Sequence, residues 1–432
     1  MVYVRRMSKY IVDGSFPLSG RVKASGNKNA ALPCIAASLL TDEEVVLRNV
    51  PDIEDVTVML DVLRDLGAEV RCDGQGVYRL KVLDLKGSEI PAEHARKIRA
   101  SILFAGPLLA RTGRVVLPPP GGDVIGRRRL DTHFLAFSAL GARVEVDGQF
   151  RLTANKLVGV DLFLDEASVT ATENAIMASV LADGTSVIQN AASEPHVQDL
   201  CMMLNGMGAR IDGVGSNILH IEGVPKLRGT DFRLGSDFME VGSFIGLAAV
   251  TRGELVIENA CPANLRMTKI AFGKLGIHWE NEGDTLHIRP GQKLAVVPDL
   301  GGSIPEIADA PWPGFPPDLT SIITVVATQV AGTVLIHEKM FESRMFFVDK
   351  LIAMGARIIL CDPHRAVVSG PSRLKASELV SPDVRAGMAL VIAALCAEGR
   401  STIDNVYQIE RGYENLTERL KSLGARITRV GG

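Results

Sequence analysis

Met207-Gly208-Ala209-Arg210-Ile211 reads as the end of a helix, closed by glycine and turned directly into an alternating strand. The chain carries the same signature at Leu66-Gly67-Ala68, Leu140-Gly141-Ala142, Leu275-Gly276-Ile277, Met354-Gly355-Ala356 and Leu423-Gly424-Ala425, about 70 residues apart each time. An apolar alternation follows every copy, as in Ala425-Arg426-Ile427. Upstream of each copy lies a β-like run: Glu44-Val45-Val46-Leu47, Arg114-Val115-Val116-Leu117, Ser186-Val187-Ile188, Glu254-Leu255-Val256-Ile257, Thr333-Val334-Leu335-Ile336 and Ser401-Thr402-Ile403. Before these runs come apolar helical segments such as Ala30 to Leu40, Ala175 to Leu181 and Ala386 to Leu395. Each repeat therefore reads strand, helix, strand, helix, strand. Six of them predict an α/β fold of two similar domains with three units each, helices inside and sheets outside or the reverse. A repeat of about 70 residues is long for a solenoid, and no capping unit is evident.

Composition narrows the function classes. A net charge of -3 over 432 residues argues against a dedicated nucleic-acid binder, which needs a basic excess. The longest apolar run, Ala386 to Ala397, is well short of the ~20 residues that span a bilayer, so no membrane partner is expected. Arg5 and Arg6 precede no apolar stretch and do not make a signal peptide. The cysteines Cys34, Cys72, Cys201, Cys261, Cys361 and Cys396 form no C-x-x-C pair, which predicts reduced core thiols in a cytoplasmic protein and no zinc. Neither a G-x-x-x-x-G-K nor a G-x-G-x-x-G element is present, which removes ATPase and Rossmann dehydrogenase readings.

Polar residues gather at two places in the repeats. One is the start of the first helix: Lys28 and Asn29, Arg99, Thr172 with Glu173 and Asn174, Glu240, Asp318, then Asp383 with Arg385. The other is the loop after the middle strand: Asp123 and Arg128, Glu194 and His196, Arg266, Arg344, Arg411. Equivalent positions of equivalent units face the same way, so these side chains converge on one surface per domain, where helix N-termini favour phosphates and carboxylates. Capping alone explains an Asp or Asn there but not several arginines. The loop Pro118-Pro119-Pro120-Gly121-Gly122-Asp123-Val124-Ile125-Gly126-Arg127-Arg128-Arg129 adds close-approach glycines, an isolated carboxylate and three consecutive cations. Such a loop suits closing over an anion and handling a proton.

Ser25-Gly26-Asn27-Lys28-Asn29-Ala30-Ala31-Leu32-Pro33 closely resembles the N-terminal motif of the UDP-N-acetylglucosamine 1-carboxyvinyltransferase family, the enolpyruvyl transferases of peptidoglycan synthesis. The resemblance extends through Arg99-Ala100-Ser101-Ile102, Pro120-Gly121-Gly122-Asp123-Val124-Ile125-Gly126, Phe315-Pro316-Pro317-Asp318, Phe341-Glu342-Ser343-Arg344, Asp383-Val384-Arg385-Ala386 and Arg411-Gly412-Tyr413. It implies an inside-out α/β barrel architecture, one domain over 23–236, the other over 1–22 and 237–432, and an active site in the cleft between them. It also implies transfer of the enolpyruvyl group of phosphoenolpyruvate to the 3′-hydroxyl of UDP-N-acetylglucosamine, with no metal or cofactor. That chemistry asks for an acid for the alkene carbon, a base for the hydroxyl, and cations around a phosphate and a carboxylate.

By resemblance, Lys28, Arg99, Arg128 and Arg411 hold phosphoenolpyruvate or its phosphate, with Arg344 and Arg385 close by. Asp318 is the base and Asp123 occupies the position of the acid. Asn29 and Asp383 orient the reacting groups, Asp131, Ser168 and Val169 seat the uridine nucleotide, and Asp237 is a further substrate-binding position. Many members carry cysteine where this chain has Asp123; a free Asp titrates near ~3.9 against ~8.5 for Cys, and Arg127 to Arg129 favour the ionised carboxylate. Fosfomycin alkylates the family's loop thiol, so insensitivity to it is expected here. Glu166, Phe238 and the acidic Pro51-Asp52-Ile53-Glu54 stand where cations are common in the family. These departures keep two alternatives open: a different, shikimate-type acceptor, or a catalytically silent nucleotide-sugar binder.

His133, His196 and His337 lack metal-ligand spacing and read as hydrogen-bonded or surface residues. Cys34 and Cys396 read as core, and Trp279 and Trp312 as core or rim packing. Cations divided between two domains repel until an anion arrives, which predicts closure on ligand binding with the Pro118 to Arg129 loop as lid.

Overall fold

The computed structural model describes residues 8–122 and 129–431. These fall into two compact units, one of residues 8–25 and 236–431, the other of residues 26–122 and 129–235. Each has its own apolar core.

Three helices form the middle of each unit. In one unit these are Phe238–Thr251, Thr320–Ala327 and Val384–Cys396, in mutual contact; they are the most apolar on every side and can only be buried, as every residue of the first is. In the other they are Lys28–Ala37, Ala105–Thr112 with the 3₁₀ turn Arg99–Phe104 before it, and Val169–Ser179. Several of their serines and threonines bond back to the preceding turn, as Ser243 Oγ does to the Met239 carbonyl at 2.9 Å and Thr324 Oγ1 to the Thr320 carbonyl at 2.7 Å, while the Ser179, Thr320 and Ser321 hydroxyls are buried without a hydrogen-bond partner. Helices are thus inside, sheets outside. No sheet closes into a barrel among the described strands: there are five four-stranded sheets and one three-stranded.

One strand order recurs in the sheets. Thr230–Arg233 runs parallel to Val45–Arg48, which pairs antiparallel with Val77–Lys81, and that with Glu69–Gly74. The repeat therefore contains a hairpin after its glycine where the sequence reading had a single strand. Gly74, Gln75 and Gly76, all at positive φ, make the turn that adds the extra strand. All six signature glycines lie at φ between 74° and 102°, as a left-handed helix end requires.

Two sheets vary the plan. Around Arg114–Leu117 the parallel neighbour is reduced to a bridge between Glu89 and Val116. In the last sheet Lys9–Asp13 supplies the inner hairpin strand, antiparallel to both Arg400–Asp404 and Arg426–Val430. The first and last strands of the described chain thus complete one sheet.

A further regularity escaped the sequence reading. Asn49, Asn190, Asn259 and Asn405 each follow a middle strand at φ between 56° and 60°. Each donates its Nδ2–H to the carbonyl of the residue just past the parallel neighbour: Leu234 at 3.0 Å, Leu164 at 2.8 Å, Ala24 at 3.2 Å and Ser381 at 2.9 Å. The amide clamps the two strand ends together. Only asparagine combines this backbone conformation with a donor of that length. The two remaining repeats put Pro118 and Glu338 at this position.

Candidate active site

Helix beginnings supply the polar residues, as the repeat pattern predicts. Asn27, Asp237 and Asp383 cap three of the central helices: Asn27 Oδ1 accepts from the Asn29 and Ala30 amides, Asp237 Oδ1 from Met239 and Glu240, and Asp383 Oδ1 from Arg385 and Ala386. In the unit of residues 236–431, the three helix beginnings are linked by charge. Arg385 Nε donates to Asp318 Oδ2 at 3.0 Å, and Arg385 Nη2 stands 3.7 Å from Asp237 Oδ2. Arg344, on the 3₁₀ turn Arg344–Phe347, donates Nη1 to Asp318 Oδ1 at 3.0 Å and to the Pro317 carbonyl at 3.1 Å. Asp318, Arg344, Arg385, Asp237 and Asp383 therefore belong to one cluster. Tyr413 closes it, its ring 5.2 Å from the Arg385 guanidinium and its hydroxyl 2.8 Å from Ser243 Oγ.

Burial by itself favours the neutral acid at Asp318, but the Arg344 and Arg385 charges outweigh it and hold the carboxyl well below the usual range. Burial disfavours the charge on Arg385 too, and Tyr413, Asp237 and Asp318 more than restore it. The Asp318 side chain keeps 23% of its surface open while both guanidiniums are buried. The carboxylate is thus ionised, oriented on two sides and reachable. Arg411 is buried at the end of the short helix Tyr407–Glu410, its Nη1 2.8 Å from Gln408 Oε1.

In the unit of residues 26–235, Lys28 Nζ forms a buried ion pair with Asp55 Oδ2 at 2.6 Å. Asp55 stands in the first turn of Glu54–Asp65 beside Glu54, where acidic side chains meet the positive end of the helix. The acidic stretch Pro51 to Glu54, read from sequence as a loss of cations, therefore leads into a helix whose next residue, Asp55, holds Lys28. Asn29 is the second residue of its helix. Arg99 Nη2 donates to the Arg129 carbonyl at 2.9 Å, and Arg129 Nε to Asp131 Oδ2 at 2.8 Å. Ser168 and Val169 open the helix Val169–Ser179. A Cβ on Gly121 meets the Arg96 carbonyl oxygen at 1.8 Å, and one on Gly122 meets Arg99 Cβ at 2.9 Å, so the stretch before Asp123 lies tightly against the segment carrying Arg99. Asp123 and Arg128, expected as acid and phosphate ligand, lie outside the described residues, as does half of the expected lid.

Several polar residues at helix starts are structural. Thr172 Oγ1 donates to the Ser168 carbonyl and accepts from the Ala192 amide; Asn174 bonds Gly106, Ile102 and His133. Glu240 is buried and accepts from Arg419, whose role the sequence reading missed. His133 and His337 are hydrogen-bonded, to Thr170 and Asn174 and to Glu306 respectively. Phe238, standing where the family often has arginine, is fully buried and meets Trp312 edge-on at 5.8 Å. Trp279 is buried, and Cys34 and Cys201 are core thiols; Cys72 and Cys361 are exposed, contrary to the expectation for all six. Among the described residues, no cluster of His, Cys, Asp or Glu is arranged for a metal, and no helix is long and apolar enough to cross a membrane.

The fold is that of the enolpyruvyl transferases. It superposes on the enolpyruvyl transferase NikO from Streptomyces tendae with a TM-score of 0.88 at 25% identity, covering 99% of this chain and all of that one. An EPSP synthase from Acinetobacter baumannii shares the fold with a TM-score of 0.76 at 17% identity, over 98% of this chain and 100% of the other. The sequence profile of the EPSP synthase (3-phosphoshikimate 1-carboxyvinyltransferase) family matches residues 12–420. Two relatives, both UDP-N-acetylglucosamine 1-carboxyvinyltransferases, are 69% identical (Treponema denticola, 98% of this chain and 99% of that) and 66% identical (Treponema pallidum, 98% and 100%). This chain belongs to the UDP-N-acetylglucosamine 1-carboxyvinyltransferase family of enolpyruvyl transferases.

Proposed function

We propose that this protein transfers the enolpyruvyl group of phosphoenolpyruvate to the 3′-hydroxyl of UDP-N-acetylglucosamine and releases phosphate, a step of peptidoglycan synthesis. The observation that carries this reading is the near-full-length identity of up to 69% with transferases of that name. In the addition half-reaction, the alkene carbon C3 takes a proton, C2 takes the sugar oxygen, and a base takes the hydroxyl proton. In the elimination half-reaction, the bond from C2 to the phosphate oxygen breaks and C3 gives up a proton, restoring the alkene.

Asp318 is the base in this reading and Asp123 the acid. Lys28, Arg99, Arg128 and Arg411 take the phosphate and carboxylate charges, with Arg344 and Arg385 beside the base. Asn29 and Asp383 orient the reacting groups; Asp131, Ser168, Val169 and Asp237 serve the nucleotide sugar. An ionised carboxylate held by two guanidiniums is a poor base until that hold weakens. An anionic substrate drawing on Arg344 and Arg385 raises the basicity of Asp318 when it is needed. Phosphate release is measured with phosphoenolpyruvate and either UDP-N-acetylglucosamine or shikimate 3-phosphate. Turnover with the nucleotide sugar alone is expected; turnover with the shikimate ester alone overturns the acceptor, and nucleotide-sugar binding without release overturns the enzyme.

A further inference from the structure

Glu338 occupies the position at which four repeats carry the clamping asparagine, and Asp309 follows the parallel neighbour Glu306–Ala308, where the clamp finds its carbonyl. An amide donating to a carbonyl has here become two carboxyl groups. Both are buried, Glu338 completely. Glu338 Oε1 accepts from the Met340 and Phe341 amides at 3.3 and 3.1 Å, and Asp309 Oδ1 accepts from the Lys339 amide. The remaining oxygens, Glu338 Oε2 and Asp309 Oδ2, are buried acceptors without a hydrogen-bond partner, and the buried Thr320 hydroxyl, also unpartnered, is a neutral side-chain donor that acts on Glu338. Two such orphans side by side cost free energy, and one proton between them satisfies both. Burial pushes the Glu338 carboxyl up to about 8; the Arg344 charge opposes this, the hydrogen-bonded Asp309 adds to it, and the Thr320 hydroxyl opposes it more weakly.

Arg344 Nε lies 3.9 Å from Glu338 Oε2, beyond hydrogen-bonding distance and itself without a partner, while Nη1 holds Asp318. We propose that Glu338 and Asp309 share one proton, and that the protonated Glu338 is a positioning residue that leaves Arg344 committed to Asp318. Loss of that proton creates a second carboxylate within reach of Arg344 and draws the guanidinium out of place, so that it neither orients Asp318 nor is free to turn to the substrate anion. The charged and titratable groups facing Glu338 are Asp309, Arg344 and His364, whose Nδ1 is 2.7 Å from the Glu338 carbonyl oxygen; Asp318 and Asp383 act on Arg344 from its other side.

The inference rests on the transfer reaction proposed above. Its test compares the pH profiles of kcat for the full-length protein and two variants. Glu338→Gln keeps a donor toward Asp309 but cannot titrate, so its alkaline limb moves up by about one pH unit or more relative to the wild type. Glu338→Ala lowers kcat by about 10- to 100-fold with KM changed less than about threefold, and the glutamine variant recovers most of that loss. An alkaline limb unmoved in Glu338→Gln overturns the positioning role. A second measurement needs no turnover: difference infrared spectra carry the carbonyl stretch of a protonated carboxylic acid at pH 7 that titrates near pH 8 and is missing in Glu338→Gln. Its absence from the wild type overturns the shared proton. Failure of the wild type to release phosphate while the band is present overturns the reaction and leaves the shared proton standing.

Discussion

Arg385 Nε and Asp318 Oδ2 are 3.0 Å apart, although the two residues are 67 positions apart in sequence and belong to different repeats. The contact joins the beginnings of two buried helices, so the carboxylate is oriented before any substrate arrives. Removing its charge tests its role. Asp318→Asn is expected to lower kcat by about 10²- to 10⁴-fold, the usual worth of a general base, with a much smaller change in KM for phosphoenolpyruvate. Steady-state phosphate release checks this; an equal rise in KM with kcat preserved assigns Asp318 to binding alone.

Lys28 and Asp55 separate stability from function. Asp55→Ala leaves a buried ammonium without its partner and is expected to cost about 3–5 kcal/mol in denaturant unfolding. The double variant Lys28→Met, Asp55→Leu removes both charges and recovers most of that stability, yet it stays inactive because the cation for the substrate anion is gone. Recovery of phosphoenolpyruvate turnover in the double variant removes Lys28 from the site.

His133 makes stability pH-dependent. Burial, assisted by the Arg99 charge, lowers its pKa to about 3. The unfolded chain, with His near ~6.5, binds the proton first, so stability is full above that value and falls as pH drops through the window to about 3, at up to ~1.4 kcal/mol per unit. Urea unfolding between pH 7 and 4 checks the slope. His133→Gln is less stable at pH 7 but has the shallower dependence.

Fosfomycin supplies a chemical test of position 123. With a carboxylate there instead of a thiol, incubation is expected to add no mass to the intact protein and to leave turnover unchanged. Asp123→Cys is expected to gain a stoichiometric adduct. An adduct on the natural protein contradicts the expectation.

The periodic parts of this molecule are readable from sequence, and the reason is local. A glycine at positive φ after a helix leaves the same mark six times, and a helix buried on every side leaves an unbroken apolar run such as Ala386 to Ala397. Asp318, Arg344 and Arg385 were candidates from repeat position and family resemblance, and the structure brings them together. Partners from other segments left no such mark. Asp55, one residue past the acidic stretch Pro51 to Glu54, carries no sequence signal because only tertiary contact sets it against Lys28. Glu240 looked like a site residue because its cation, Arg419, is 179 positions away. Glu338 and Asp309 were missed because the signal was an exception to the unrecognised asparagine clamp. Aligning the four asparagines after the middle strands exposes that exception.

The strand Lys9–Asp13 is paired only with segments close to the other end of the chain, Arg400–Asp404 and Arg426–Val430. That sheet therefore forms only when strands far apart in sequence meet. Residues 26–122 and 129–235 pair the strands of their three sheets only among themselves, so this unit can form without the segments on either side of it. The other unit cannot be finished by neighbours in sequence alone: it needs residues 8–25 and residues 236–431 together, so its folding is the slower, long-loop step.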